Sequence, residues 1–113
     1  MIKRIQSDAR MSQAVVHNGV VYLAGQVGEP GENVVEQTRT ALAEIDALLA
    51  EAGTDKSKIL MATIWLADVA DFDAMNSVWD AWVDRNNPPA RATGESRLAS
   101  PEYLVEIIVT AAI

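Results

Sequence analysis

The first third of the chain alternates between short apolar runs and turn residues, a pattern typical of β-structure. A strand candidate covers residues 2–5, and residues 14–25 (AVVHNGVVYLAG) contain two apolar runs separated by Asn18-Gly19. Asn-Gly between apolar runs is a strong signal for a β-hairpin, because both residues tolerate the positive φ that a tight hairpin turn needs. The next segment, QVGEPGEN, is predicted to be a loop.

The period then changes from that of a strand to that of a helix. Apolar or small residues recur at alternating spacings of three and four: Val35, Thr38, Leu42, Ile45 and Leu49. This spacing marks one stripe of a helix and predicts that element over residues 34–52. Asn33, with Glu36 three residues later, is suited to cap the start of the helix, and Gly53 is suited to end it.

The segment ILMATIWLAD, residues 59–68, is apolar at both odd and even positions and is predicted to be a strand. One face would carry Ile59, Met61 and Trp65, and the other Leu60, Ile64 and Leu66. A strand of this kind is covered on both faces.

A second helix is marked by apolar residues at helical spacing: Phe72, Met75, Trp79, Trp82 and Val83. Its two tryptophans are predicted to lie mostly in the core, with one edge free to line a pocket. Pro88-Pro89 is expected to terminate the helix, since proline lacks the backbone N–H and restricts the residue before it. Two strands follow, at residues 91–98 and 103–113, joined by a turn.

The order β-β-β-α-β-α-β-β contains two strand-helix-strand crossovers. Such crossovers are almost always right-handed, so both helices should pack on one face of a mixed, six-stranded sheet. The sequence therefore predicts an α+β fold in a single domain, residues 1–113.

The last strand is apolar on both faces, because Ile107 and Val109 alternate with Ile108 and Ala112. A monomer would leave the second face of the sheet, a large apolar surface, in water. We therefore expect a homo-oligomer built on that face.

Composition and charge narrow the chemistry. The chain has 113 residues, no cysteine and a single histidine, His17, which excludes a disulfide framework and a cysteine nucleophile. One histidine also argues against a histidine-rich metal site or a serine-histidine triad. The net charge of −7 argues against a nucleic-acid partner, which needs a concentrated basic surface. With no signal-peptide pattern and no apolar run of about 18 residues, we expect a cytoplasmic protein with no membrane partner.

Arg91 is the first candidate for chemistry, in the stretch NNPPARATGESR. It begins a predicted strand, one residue beyond two prolines that stiffen the approach. Its guanidinium is a planar fork that matches a carboxylate, a contact worth roughly 1.5–3 kcal/mol when partly desolvated. The alternative is a surface arginine paired with Glu95 or Glu106.

Glu106 is the second candidate, because LVEIIVTAAI places one carboxylate in a strand that is otherwise apolar on both faces. Burying an unpaired charge is costly, so Glu106 is expected to be paired, protonated or part of a site. A buried ion pair is one interpretation. The other is a carboxyl group that positions or deprotonates water.

With these residues and this order of elements, the chain resembles the RidA family, also called YjgF or L-PSP, over essentially its whole length. The matching segments are SQAVVHNGVVYLAGQ, EQTRTALAEIDALLAEAG, ATIWLADVADFDAMNSVW, PPARAT and LVEIIVTAA. Within the family, TDKSKIL and AMNSVWDAWV look most like the YoaB-like branch.

The resemblance implies a chorismate-mutase-like fold of the bacillus type, assembled as a homotrimer with three sites in the clefts between subunits. It implies hydrolysis of reactive enamines and imines, such as 2-aminoacrylate, to a 2-keto acid and ammonia. The partner is then a small metabolite that bears a carboxylate, and this chemistry requires neither a cofactor nor a metal.

The resemblance also implies roles for individual residues. Arg91 matches the family arginine that clamps the substrate carboxylate, and Glu106 matches the glutamate that holds the attacking water, so both are catalytic candidates. Thr93 matches a position whose backbone contacts the ligand. Gly25 and Asn76 match positions that line the cleft.

The chain departs from the family pattern at three positions. Met11, a further substrate-binding candidate, stands where the catalytic branch usually carries tyrosine, and Ala24 stands where serine is common. Both changes remove a hydroxyl from the cleft. Gly94 replaces an apolar strand residue. Carboxylate capture is expected to survive these changes, while the occurrence of deamination stays open.

Three functions are therefore compared. The first is an enamine or imine deaminase. The second is a binding module that captures a small 2-keto or amino acid without turnover. Ribonuclease activity, attached by name to part of the family, fits poorly with an acidic chain that has no basic patch.

Overall fold

The computed structural model describes residues 1–113 and contains seven strands and two α-helices. These correspond to the strand-type and helix-type patterns of apolar residues in the sequence. The strands are β1 (Lys3–Ser7), β2 (Ser12–His17), β3 (Val20–Leu23), β4 (Gln26–Val27), β5 (Ile59–Leu66), β6 (Ala90–Glu95) and β7 (Val105–Ala112). The helices are α1 (Val34–Ala52) and α2 (Phe72–Trp82). One mixed sheet has the order β1-β2-β3-β7-β5-β6, and β4 also pairs with β7. Neither helix is long and apolar enough to cross a membrane.

The prediction of six strands is wrong by one, because the segment expected to be a loop contains β4. Tyr22 pairs with Thr110 and Gln26 pairs with Ile107, so four steps along one chain match three steps along β7. The extra residue is accommodated as a β-bulge, which makes β3 and β4 two parts of one interrupted strand. A strand of two residues is too short to show an alternating pattern in the sequence.

Helix α1 has the bounds and the caps that the sequence predicts. The Asn33 side chain accepts a hydrogen bond from the Glu36 backbone N–H, and Gly53 ends the helix with a φ of 87°. That left-handed conformation favours glycine. The buried face consists of Val34, Gln37, Thr38, Ala41, Leu42, Ile45, Leu48 and Leu49.

Helix α2 ends at Trp82, before the prolines are reached. Arg85 donates from Nε and Nη2 to the Asp80 carbonyl, at 3.1 and 2.9 Å, and so satisfies an oxygen of the last turn. The expectation that Pro88-Pro89 terminates the helix is therefore wrong. The chain has already left the helix, and the arginine takes over the exposed carbonyl.

Both helices pack on one face of the sheet, as the crossovers predict. Along β7, Val105, Ile107, Val109 and Ala111 are buried, and the residues between them are only half-buried. In β5 the predicted faces are partly wrong, because a bulge between Ile59 and Met61 reverses the alternation. Ile59 is therefore buried on the helix side, whereas Leu60 is exposed.

The other face of the sheet has no helix over it and is called the open face. Register places Tyr22, Met61, Trp65, Glu106 and Ile108 there. The first three are large apolar or aromatic side chains that keep 51%, 38% and 37% of their surface exposed. The open face therefore presents large apolar side chains around one carboxylate, and the same registers also place Thr63, Thr110 and, on the outer strand β1, Arg4 there.

Gln37 joins the two loops that flank the sheet. Its Nε2 donates to the carbonyls of Glu32 and Glu102, at 2.8 and 2.9 Å, and its Oε1 accepts from the Leu104 N–H at 2.8 Å. The side chain is completely buried, yet every polar atom has a partner. A Cβ at Gly28 would lie 2.4 Å from the Gln37 Cα, so only glycine allows β4 to leave the sheet this close to α1.

Replacing this amide tests the two-loop connection. We expect Gln37→Leu to lower the free energy of unfolding by about 2 kcal/mol, because it leaves partly buried backbone groups without partners. Arg39→Leu on the exposed side of α1 is the control, since it removes only a surface ion pair with Glu36. Urea denaturation at one fixed protein concentration measures both, and equal losses would contradict the prediction.

Candidate functional site

Arg91 lies on the helix side of β6, at the edge of the sheet. It pairs in register with Ala62, which is fully buried under the helices. Its Nη1 donates to Asn76 Oδ1 at 2.7 Å. The guanidinium carbon lies 5.3 Å from the centre of the Trp79 ring and 5.9 Å from that of Phe72. Two aromatic rings and one amide therefore fix the cation, and its other N–H groups have no protein acceptor.

Helix α2 supplies all three of these supporting side chains. Phe72, Asn76 and Trp79 are spaced at i, i+4 and i+7, so they share one side of the helix. Asn76 was predicted through the family resemblance, and one edge of the two tryptophans was expected to line a pocket, but neither Trp79 nor Phe72 was predicted to contact Arg91. The sequence signal for this side of α2 was a polar residue, Asn76, within an otherwise apolar helical stripe.

The interpretation of Arg91 as a residue paired with Glu95 or Glu106 is wrong. Glu95 instead accepts a hydrogen bond from the Val69 N–H at 2.9 Å. The one ion pair in the chain joins Arg39 and Glu36 on α1. The Arg91 guanidinium is therefore held in place without being neutralised.

A groove of about 490 Å³, here called the Arg91 groove, borders the guanidinium. Its lining residues are Trp79, Asp80, Val83, Arg85, Pro88, Pro89 and Arg91. The prolines and the tryptophan supply apolar walls beside a cation. An anion with an apolar body fits such a surface.

Thr93 lies on the same side of β6 as Arg91, because it pairs with the buried Ile64. Its Oγ1 is the one buried side-chain oxygen or nitrogen in the chain that has no hydrogen-bond partner. Buried polar groups almost always have a hydrogen-bond partner, so Thr93 leaves an unsatisfied hydroxyl on the same side of β6 as the Arg91 cation. Arg91, Asn76 and Thr93 together form what is called the arginine half of the candidate site.

Glu106 lies on the open face, between the buried Val105 and Ile107. It is half-buried and has neither a salt bridge nor a hydrogen bond within the chain, so the interpretation as a buried ion pair is wrong. Its carboxylate lies against the β-bulge, where a Cβ at Gly25 would come within 2.2 Å of Oε2. Glycine at this position therefore creates the space for the carboxylate. Glu106 and Gly25 form the glutamate half of the candidate site.

Met11 directly precedes β2 and belongs to the same region as the bulge, because the carbonyl of nearby Gln13 accepts from the Ala24 N–H at 2.9 Å. The side chain of Met11 is 42% exposed. Its backbone is held by Asp8, whose carboxylate accepts the N–H groups of Met11 and Arg10. These two hydrogen bonds, that of Met11 first, hold the pKa of Asp8 below its ordinary value.

Gly94 departs from the family pattern, and the open face shows what replaces the missing side chain. Gly94 pairs with Trp65, and a Cβ at Gly94 would lie 3.1 Å from the Trp65 ring. The indole therefore covers the glycine, so the apolar surface of β6 is supplied by its neighbour.

The two halves of the site do not meet within one chain. Arg91 is in register with Ala62 and Val109, three residues along β7 from Glu106. At ordinary strand spacings the two Cα atoms are roughly 14 Å apart, and the side chains point to opposite faces. A small substrate bound at Arg91 therefore cannot touch Glu106 of the same chain.

Fold and site together define a small α+β protein with a free guanidinium at one sheet edge and a carboxyl group on the open face. A family model described as "Endoribonuclease L-PSP" matches residues 1–113. The chain is 50% identical to a "RutC family protein" of Haemophilus ducreyi, covering 100% of this chain and 97% of the other. It is 46% identical to "RutC family protein YoaB" of Escherichia coli, covering 99% and 98%.

Solved structures agree with these sequence matches. The crystal structure of NMB1025 from Neisseria meningitidis, described as a member of the YjgF protein family, superposes with a TM-score of 0.97. It is 49% identical, over 99% of this chain and 94% of that one. The chain therefore belongs to the RidA (YjgF/L-PSP) family, as the sequence motifs indicated.

A more distant relative carries an activity in its name. The protein of Capra hircus named "2-iminobutanoate/2-iminopropanoate deaminase" is 35% identical over 106 residues, which cover 81% of this chain and 77% of the other.

The contact between Gly25 and the Glu106 carboxylate gives a direct test of the glutamate half. Gly25→Ala is expected to destabilise the protein by about 1–3 kcal/mol, because the new methyl group overlaps Oε2. In the Glu106→Ala background most of this loss should disappear, which a double-mutant cycle by chemical denaturation measures. Equal losses in both backgrounds would show that the carboxylate does not lie against the bulge.

Proposed function

We propose that this protein hydrolyses reactive 2-enamine and 2-imino acids of the 2-aminoacrylate type to a 2-keto acid and ammonia. The observation that carries the proposal is the Arg91 guanidinium, which is fixed by Asn76 and two aromatic rings but not neutralised. Such a group is ready to bind a carboxylate with two hydrogen bonds. The name of the goat relative supports the choice of imino acids as the class of carboxylate.

The reaction needs few protein groups. Water adds to the imine carbon, and the nitrogen leaves as ammonia, so that C=NH and H₂O become C=O and NH₃. Arg91 would hold the carboxylate next to that carbon, and Glu106 would take a proton from the attacking water and return it to the departing nitrogen. An enamine enters the same route once its β-carbon has been protonated.

The separation of the two halves supports a site shared between chains. The proposed assembly is a homotrimer with a chorismate-mutase-like arrangement, in which the open faces pack together. Each cleft would then combine the arginine half of one subunit with the glutamate half of its neighbour. The exposed Tyr22, Met61 and Trp65 supply the apolar surface that this packing would bury.

Binding without turnover is the second candidate. One chain alone presents the complete arginine half, whereas hydrolysis needs both halves. Met11 and Ala24 supply no hydroxyl that would help to orient water. A trimer that captures a 2-keto or amino acid at Arg91 and releases it unchanged is consistent with this geometry.

A trapping assay distinguishes the two candidates. A serine/threonine dehydratase generates 2-aminoacrylate or 2-iminobutanoate in place, semicarbazide traps the free imine, and the release of 2-keto acid is followed. A deaminase outcompetes the trap. Glu106→Gln is expected to lower this rate about 100-fold or more, because it removes the proton-transfer group.

The same assay tests the clamp. Arg91→Ala should abolish the acceleration and weaken binding of 2-oxobutanoate, measured by calorimetry, by at least about tenfold. Arg97→Ala is the matched control, because Arg97 follows the far end of β6 and has no hydrogen bond from its guanidinium. Wild-type protein that binds 2-oxobutanoate but matches the no-protein rate would select the binding module.

Mixing two inactive variants tests whether the site is shared. If each cleft takes Arg91 from one subunit and Glu106 from the next, random trimers of Arg91→Ala and Glu106→Gln should recover about a quarter of wild-type activity. Subunits are exchanged by mild denaturation and refolding, and each variant refolded alone is the control. No recovery in mixed trimers would place both residues in the same chain. Sedimentation as a monomer at micromolar concentration would rule out the assembly itself.

A further inference from the structure

We propose that the site selects 2-imino acids that carry a second carboxylate, and that Arg85 binds this distal group. The substrate class would be four- or five-carbon 2-imino dicarboxylic acids. This inference rests on the proposed function, because the first carboxylate is the one held by Arg91.

The two arginines line the same groove. Arg91 and Arg85 both border the Arg91 groove, and Trp79, Pro88 and Pro89 form its apolar walls. The groove has a volume of about 490 Å³, and its lining reaches from Arg91 to Arg85. A substrate with a single carboxylate and a short apolar side chain would leave its Arg85 end unused. A methylene chain along the prolines would carry a second carboxylate to that end.

The Arg85 side chain is already held in place by the end of α2. Its Nε and Nη2 donate to the Asp80 carbonyl at 3.1 and 2.9 Å. The Nη1 hydrogens have no acceptor in the chain. Much of the conformational entropy of a long side chain has therefore been lost before any ligand arrives, which favours binding.

The charged side chains that line the groove favour the binding of an anion. Neither Arg85 nor Arg91 has a carboxylate within 4.0 Å, since the chain's one ion pair is on α1. Asp80 supplies the groove's one carboxylate, and its side chain is exposed. A monocarboxylate would satisfy Arg91 alone. A dicarboxylate would satisfy both cations.

The test compares two 2-keto acids, which are the expected products. Calorimetry with wild-type protein should show 2-oxoglutarate binding about tenfold more tightly than 2-oxobutanoate, the gain of one charge-assisted contact. Arg85→Gln should reduce this ratio to near one. The matched control Arg97→Gln removes the same charge beyond the other end of β6 and should leave the ratio as in wild type.

A second variant keeps the helix end intact. Asp80→Asn retains the backbone carbonyl that holds Arg85 but removes the opposing carboxylate. It should therefore tighten 2-oxoglutarate binding about threefold, with a smaller effect on 2-oxobutanoate, and the difference should fade at high salt.

The outcomes separate the two proposals. If wild-type protein binds both keto acids equally, or binds 2-oxoglutarate more weakly, Arg85 is only a helix-end residue and the inference fails while the clamp at Arg91 stands. If Arg85→Gln weakens both ligands by the same factor, its role is structural and the inference fails again. If neither keto acid binds, or Arg91→Ala changes nothing, the proposed function fails together with the inference.

Discussion

The whole structure depends on the pairing of β7 along both of its edges. One edge takes β3 and, after the bulge, β4, and the other edge takes β5, so the final strand of the chain holds the sheet together. Its alternate residues are buried on the helix side of the sheet, while the residues between them form the centre of the open face. The one carboxylate in this strand is tolerated because it faces away from the core and lies beside a glycine. The strand geometry that builds the fold therefore also sets the position of the Glu106 carboxylate.

The chemistry proposed for the protein rests on two charged side chains that lie apart within one chain, not on a cluster of catalytic residues. Arg91 is immobilised by α2 on the helix side of the sheet, and Glu106 lies half-buried on the other side. Neither group is neutralised inside the chain, and the open face between them has an apolar surface. The proposed packing of open faces would bury this apolar surface, and the proposed trimer would complete the site.

The residues proposed to choose the substrate and those proposed to act on water lie in different parts of the molecule. The residues that would act on water lie on the open face. Those that would choose between carboxylates lie at the end of α2, where Arg85 replaces a helical hydrogen bond and borders the same groove as the clamp. If both proposals hold, the groups that choose the substrate and those that act on water would lie in different parts of this architecture.

The elements with long, regular patterns were predictable from the sequence. Helix α1 was predicted with its bounds and its caps at Asn33 and Gly53, because a stripe of 3.6-residue period and two capping residues are local signals. The Asn-Gly hairpin was predicted for the same reason. Three errors in the predicted elements occur where a local pattern is interrupted: the extra residue before β4, the bulge after Ile59, and the end of α2, which an arginine satisfies before the prolines are reached.

By itself the sequence determined the type and order of the long elements, the family, and the residue types with which chemistry can be done. The local sequence singled out Arg91 and Glu106, and the family motif added Asn76, Thr93 and Gly25. The fold places Asn76 against Arg91 and Gly25 against Glu106. The roles of these residues stay predictions. Only the tertiary structure decided that the two groups lie on opposite faces, that Phe72 and Trp79 hold the guanidinium, and that Arg85 borders the same groove. The physical reason is that periodicity and capping act over a few neighbouring residues, whereas the face and depth of a side chain depend on strand register and bulges, which distant segments set together.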